Sequence, residues 1–204
     1  IVSSLYGNNV PRKPRGVDNS EAALADQIGS GSAFFDAGQD NYINLGNSSD
    51  YNDDPDGSPL TITMWYKGVP EADGTLISKG QNANRAYQMF VQTDNTLYGK
   101  IGGTFIDSGV VIADNTWHHC ALRIFDDSGT YKSQLYADGV LTATQTIGTE
   151  VATDRDLLIG ARRHTSNTDT GYTFAQDSYI AQVGYWTRAL SQEEIQSISQ
   201  KQYS

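Results

Sequence analysis

The chain has 204 residues, 38% of them hydrophobic, and a formal net charge of −10 from 24 acidic and 14 basic residues. That length and apolar content suit one sandwich- or barrel-sized domain. The acidic excess disfavours phosphate backbones outside one small patch, Arg12, Lys13 and Arg15, and no stretch approaches the roughly 18 apolar residues of a spanning helix.

Residues 1–30 differ from the rest. "NNVPRKPRGVDNS" holds two prolines and the basic patch, which disfavours regular structure. "SEAALADQIG" is consistent with one or two helical turns, Ser20 as N-cap and Gly29 as stop. The segment reads either as a linker or as an arm lying on the domain, with Leu5, Tyr6 and Val10 as its anchors. Its first residues carry no apolar core of the signal-peptide kind.

From residue 31 to 204 the pattern predicts one all-β domain. Strand-like runs follow one another with turns between them: "SAFFDAG", "NYINLG", "LTITMWYKG", "GTLISKG", "YQMFVQT", "TLYGKIG", "VVIAD", "TWHHCALRIF", "SQLYADGVLTATQTIG", "DLLIGAR" and "TFAQDSYIAQVGYW". In "LTITMWY" Leu60, Ile62, Met64 and Tyr66 fall on one side, Thr61, Thr63 and Trp65 on the other. Asp138-Gly139 marks a two-residue hairpin turn. Cys120, the single cysteine, lies on an apolar strand and reads as a small core residue, so the chain has no internal disulfide. After the last strand, Ser191 and Glu194 have the spacing of a capping box. Leu190, Ile195 and Ile198 give the short helix that follows an apolar edge with which to dock.

Taken in order, "SAFFDAGQDNYINLGNSSDY", "PLTITMWYKG", "GTLISKG", "NTWHHCALRIFDD", "QLYADGVLTATQTIGT", "DLLIGARR" and "SYIAQVGYWTRALSQEEI" resemble the concanavalin A-like lectin/glucanase superfamily, in its laminin-G-like form. The resemblance runs from about Ser32 to Ile198 and implies a two-sheet antiparallel jelly-roll sandwich with a short C-terminal helix. One departure stands out. Where such domains often read G-x-I-D-E-V, this chain has Tyr179-Ile180-Ala181-Gln182-Val183, so any role of that acidic pair is absent.

Hydrolases of this fold class set carboxylates at alternate positions along one strand, so that they share a face. No Glu-x-Asp-x-(x)-Glu pattern occurs: Glu71 and Asp73 sit at a turn without a third partner, and Glu193 and Glu194 belong to the helix cap. His118 and His119 are adjacent, point to opposite faces of a strand and read as structural. The expectation is a noncatalytic module. For metal, "SSDYNDDPDGS" gathers Asp50, Asp53, Asp54 and Asp56 beside Gly57, oxygen ligands of the kind Ca²⁺ takes. The resemblance implies a second place for calcium, where first and last strands meet, at Asp36, Asp40 and Asp177. The expected metal set is thus Asp36, Asp40, Asp54, Asp56 and Asp177.

Carbohydrate recognition, the work the resemblance most often implies, needs aromatic faces and planar polar groups. Asn84, Arg85 and Tyr87 around one strand edge, Tyr98 in "LYGKIGG", and Arg162, Arg163, His164 and Tyr172 around the long polar loop are the candidates, each also readable as an ordinary solvated residue. The expected partner is a glycan or a surface protein, with no nucleic acid and no membrane insertion. The setting would be extracellular, at a cell or virion surface, in an adhesin, a carbohydrate-active enzyme or a virion protein. The competing reading is a structural domain that docks into an assembly through its N-terminal arm.

Overall fold

The computed structural model describes residues 31–36, 41–48, 51, 59–69, 74–80, 85–148, 155–163, 172–174 and 177–200, with the backbone alone for 85–86 and 172–174. The strands are β1 (Ala33–Phe35), β2 (Ile43–Asn44), β3 (Leu60–Gly68), β4 (Gly74–Gly80), β5 (Arg85–Val91), β6 (Thr96–Ile101), β7 (Thr104–Val111), β8 (His118–Asp127), β9 (Thr130–Ala137), β10 (Val140–Thr146), β11 (Leu157–Ile159), β12 (Ala161–Arg163), β13 (Tyr172–Phe174) and β14 (Ser178–Trp186). One helix, α1 (Gln192–Ser199), follows them.

Two antiparallel six-stranded sheets form the sandwich. The first runs β1-β14-β3-β8-β9-β10 and the second β2-β11-β4-β5-β6-β7, with β12 and β13 as a separate ribbon. The ribbon's β12 packs against β4. This is the predicted jelly-roll arrangement. The alternation in β3 has its expected meaning: Leu60, Ile62, Met64 and Tyr66 enter the core between the sheets. From the second sheet Tyr87, Met89, Val91, Leu97, Ile101 and Ile106 meet them. Each such side chain contributes about 1.5–3 kcal/mol by leaving water. Gly99, between two outward-facing residues of β6, is a point of close approach: a Cβ there would stand 3.2 Å from Leu135 Cδ2 of the opposite sheet.

Three element boundaries differ from the sequence reading. Thr104–Val111 is one strand, because its Ser108-Gly109 pair forms a bulge within the ladder rather than a turn. "DLLIGAR" divides at Gly160, whose N–H donates to Leu76 O at 2.9 Å, into β11 and β12. "TFAQDSYIAQVGYW" likewise divides into β13 and β14.

The C-terminal segment closes the outer face of the first sheet. Ser191 and Glu194 form the capping box, side chain to backbone in both directions. Leu190 and Ile195 are buried with Ala121 and Tyr136, and Leu141, Trp186 and Ile198 pack around them. Thr61, in an outward-facing position of β3, is fully buried because its hydroxyl donates to Arg188 O (3.0 Å) and accepts from Leu190 N (2.9 Å). The Asp138-Gly139 turn has φ of +52° and +78°, as the sharp hairpin requires. Helix α1 lies over that turn, since a Cβ on Gly139 would meet Ser199 Oγ at 2.3 Å. No helix among the described residues is long and apolar enough to cross a membrane. The arm residues Leu5, Tyr6 and Val10 lie outside the described residues.

Candidate functional site

Alternation along β5, β6 and β7 places every second side chain on the outer face of the second sheet, away from the core. Register then assembles two rows. In one, Asp107 stands opposite Tyr98, Tyr98 opposite Phe90, and Phe90 opposite Thr75. In the next, Phe105 stands opposite Lys100, Lys100 opposite Gln88, and Gln88 opposite Ser78. The three rings form a cluster, with Phe90 5.6 Å from Tyr98 and 6.3 Å from Phe105 between centroids. Phe105, the second residue of β7, is 54% exposed, an unusual state for a phenylalanine. Lys100 Nζ lies over its ring, 4.6 Å from the centroid.

Polar groups frame the rings. Tyr98 donates from its hydroxyl to Asp94 Oδ2 at 3.3 Å and stands across the ladder from Asp107. Asp94 is itself fixed by Thr96, whose hydroxyl (2.6 Å) and backbone N–H (3.0 Å) both donate to its Oδ1. The Thr96 hydroxyl is the main reason the Asp94 carboxyl titrates below its ordinary range. Asp107 Oδ1 accepts from Gly109 N at 2.7 Å. Desolvation and the Asp107 side chain push the Tyr98 phenol above its ordinary pKa, so it keeps its proton and acts as a donor. Behind the rings, Gln88 and Ser78 are buried on the same face. Gln88 Nε2 donates to Thr75 Oγ1 at 3.1 Å, while Gln88 Oε1 and Ser78 Oγ have no hydrogen-bond partner among the described residues. Such orphaned atoms are uncommon in folded proteins.

Of the residues nominated for glycan contact, Tyr98 is at the centre of this face. Tyr87, one residue from Gln88, faces the other way: it is 1% exposed in the core, with its hydroxyl 3.5 Å from that of Tyr185. Arg163 lies toward the opposite edge of the second sheet, where its Nη2 donates to Asp156 Oδ2 at 2.6 Å and Asn44 Nδ2 donates to the same oxygen at 3.0 Å. Arg162 is half-buried beside it on β12. Asn84 and His164 lie outside the described residues, as do the side chains of Arg85 and Tyr172. Sequence reasoning missed Phe90, Lys100, Phe105 and Gln88. The available signal was the alternation of "FTGGIKGYL" read backwards from Phe105 across the β6–β7 hairpin, but Gly102-Gly103 and Ser108-Gly109 made the second strand look like loop.

Among the metal candidates, the β1–β14 ladder pairs Phe35 with Ser178 and so brings Asp36 and Asp177 to one end of that strand pair. Asp36 N donates to Asn41 Oδ1 at 2.8 Å. Asp40, Asp54 and Asp56 lie outside the described residues. Among the described residues, no three His, Cys, Asp or Glu side chains are grouped closely enough to hold an ion. Asp36 and Asp177 would therefore need a further ligand such as Asp40 to make a calcium site.

His118 and His119 point to opposite sides, as expected. His118 Nδ1 donates to Asp138 Oδ2 at 2.8 Å, and its Nε2 lies 3.2 Å from Asp114 Oδ1. Asp138 Oδ1 also accepts from His119 N at 2.8 Å. The histidine thus ties the start of β8 to the β9–β10 turn. The His119 ring is buried, stacks edge-on against Trp65 at 5.5 Å, and has no hydrogen-bond partner for either ring nitrogen among the described residues.

A two-sheet antiparallel jelly roll closed by a short C-terminal helix defines a lectin-like β-sandwich domain. Residues 36–196 match the family model described as the concanavalin A-like lectin/glucanases superfamily, and the chain belongs to that superfamily. No curated protein matches the sequence. Solved structures share the fold at low identity. The binding domain of botulinum neurotoxin serotype G superposes with a TM-score of 0.60 at 14% identity, over 85% of this chain and 45% of that one. A heptameric SAP-like pentraxin from Limulus polyphemus gives 0.55 at 15% identity, over 81% and 80%. The CBM40 of the Ruminococcus gnavus IT-sialidase, bound to α2,3-sialyllactose, gives 0.52 at 14% identity, over 78% and 95%.

Proposed function

We propose that this chain is a noncatalytic recognition module that binds a glycan on the outer face of β5, β6 and β7. The observation that carries the reading is the exposed Phe105 ring, clustered through Phe90 with the half-buried Tyr98 and flanked by the Asp94 and Asp107 carboxylates. An aromatic ring accepts the C–H side of a sugar ring, and exposed carboxylate oxygens accept its hydroxyl protons. The CBM40 of similar fold, with sialyllactose bound, supports a carbohydrate ligand in general.

Asp94 and Asp107 flank one phenol, which raises the question of hydrolysis. A glycosidase needs one carboxyl held protonated by a desolvating pocket. Both aspartates are exposed, and Asp94 is shifted toward the ionised form. These groups serve better as hydrogen-bond acceptors than as an acid–base pair. Extracellular or surface exposure, within an adhesin, a carbohydrate-active enzyme or a virion protein, is the setting that fits such a module.

The test is a glycan array on the wild type and on Phe105→Ala, in calcium and in chelator. Reproducible binding that falls at least about tenfold in Phe105→Ala, a loss of roughly 1.4 kcal/mol, supports the assignment. Wild-type binding that Phe105→Ala leaves intact moves the site elsewhere, and a blank array in both conditions removes the glycan reading.

A further inference from the structure

The charges on this face restrict the class of sugar. We infer that the site selects neutral glycans and discriminates against sialylated or sulfated ones. The inference rests on the glycan-binding reading of the same face. The rings are bracketed by two carboxylates, Asp94 through the Tyr98 hydroxyl and Asp107 directly across the ladder. Among the described side chains of β5, β6 and β7 on this face, Lys100 is the one cation, and it is occupied over the Phe105 ring. Two negative charges against one positive leave the face net negative, on a chain whose formal charge is −10.

A ligand carboxylate or sulfate seated on Tyr98 or Phe105 would meet these aspartates without a compensating pair of donors. Hydroxyl groups meet the opposite situation. Asp94 Oδ2 and Asp107 are exposed acceptors, suited to the hydroxyl protons of an uncharged sugar. The Arg163 cation does not alter this balance, because Asp156 pairs with it toward the other edge of the sheet.

The experiment uses an array of matched glycans, each core present in neutral, sialylated and sulfated forms, followed by titration calorimetry on the best pair. The neutral form is expected to bind roughly five- to tenfold more tightly, the effect of one or two like charges near the surface. The gap should shrink in Asp94→Asn/Asp107→Asn and at about 1 M salt, where exposed charges are screened. Equal or tighter binding of the acidic forms overturns the inference and leaves the glycan reading standing. A neutral preference that survives both the double variant and high salt is steric and also overturns it. Binding of no form in any core removes the glycan reading itself.

Discussion

His119 shows what a single buried side chain does to the response of the fold to acid. Burial holds its ring neutral and pushes its pKa from 6.5 down to about 4. The unfolded chain therefore takes up this proton at a higher pH than the folded one. Stability falls as pH drops below about 6.5 and stops falling near 4, at up to about 1.4 kcal/mol per pH unit. His118 acts in the opposite sense. The hydrogen bond to Asp138 raises its pKa above 6.5. Its contribution is fully present below that value and is lost as pH rises through the raised one. Asp138, which burial alone would push up, is carried below its ordinary pKa by the His118 hydrogen bond and the His119 amide. Its share is lost only in stronger acid. Replacing His119 by Phe, which keeps a ring against Trp65, should therefore make the protein more stable at pH 5 relative to pH 7 than its parent by about 2 kcal/mol. Thermal unfolding at the two pH values checks this, and identical pH dependence in the two proteins contradicts it.

At the scale of elements, the closing segment shows how a two-turn helix is held. Helix α1 is too short to persist alone. Its start is fixed by its own box, and by Arg188, which donates to both Glu194 oxygens at 2.8 and 2.6 Å and with the Ser191 amide holds that carboxyl at a pKa of about 2. That ion pair is exposed and screened, so it orients more than it stabilises. The attachment to the sheet is the Thr61 hydroxyl, buried and bonded to both Arg188 O and Leu190 N. Thr61→Val keeps the shape and leaves the buried Leu190 N–H unpaired, at a cost of about 1–3 kcal/mol. Chemical denaturation should show that loss with an unchanged m-value, and faster hydrogen exchange in residues 190–198. A loss below about 0.5 kcal/mol would mean that apolar packing around Ile195 alone fixes the helix.

The sandwich joins its first and last strands at the β1–β14 pair, and the calcium expectation can be tested at that join. If Asp36 and Asp177 share an ion with a further ligand, binding it to the folded state alone stabilises the protein by mass action, about 2.7 kcal/mol at a concentration one hundred times its Kd. Millimolar calcium should then raise Tm relative to chelator, and Asp177→Asn should abolish the difference. No calcium effect on Tm in the wild type rules out that site. The aromatic cluster on the outer face of the second sheet is a property of this same scale. It exists because three strands, two of them joined through a Gly-Gly turn, align Phe90, Tyr98 and Phe105 across the sheet.

The sequence by itself determined the jelly-roll class, the core face of β3, the Asp138-Gly139 hairpin and the capping box of α1. Each rests on neighbours within a few residues, where period, turn chemistry and cap spacing act directly. It also singled out Tyr98, but as an isolated ring. Only the tertiary structure decided that Tyr87 turns inward, that Thr61 is a buried anchor, and that Phe105, Lys100, Gln88 and Asp107 gather around Tyr98. Those outcomes depend on strand register, and a bulge or a shift of one residue exchanges the faces of every side chain that follows. Register is set by pairing between distant segments, which local pattern does not record.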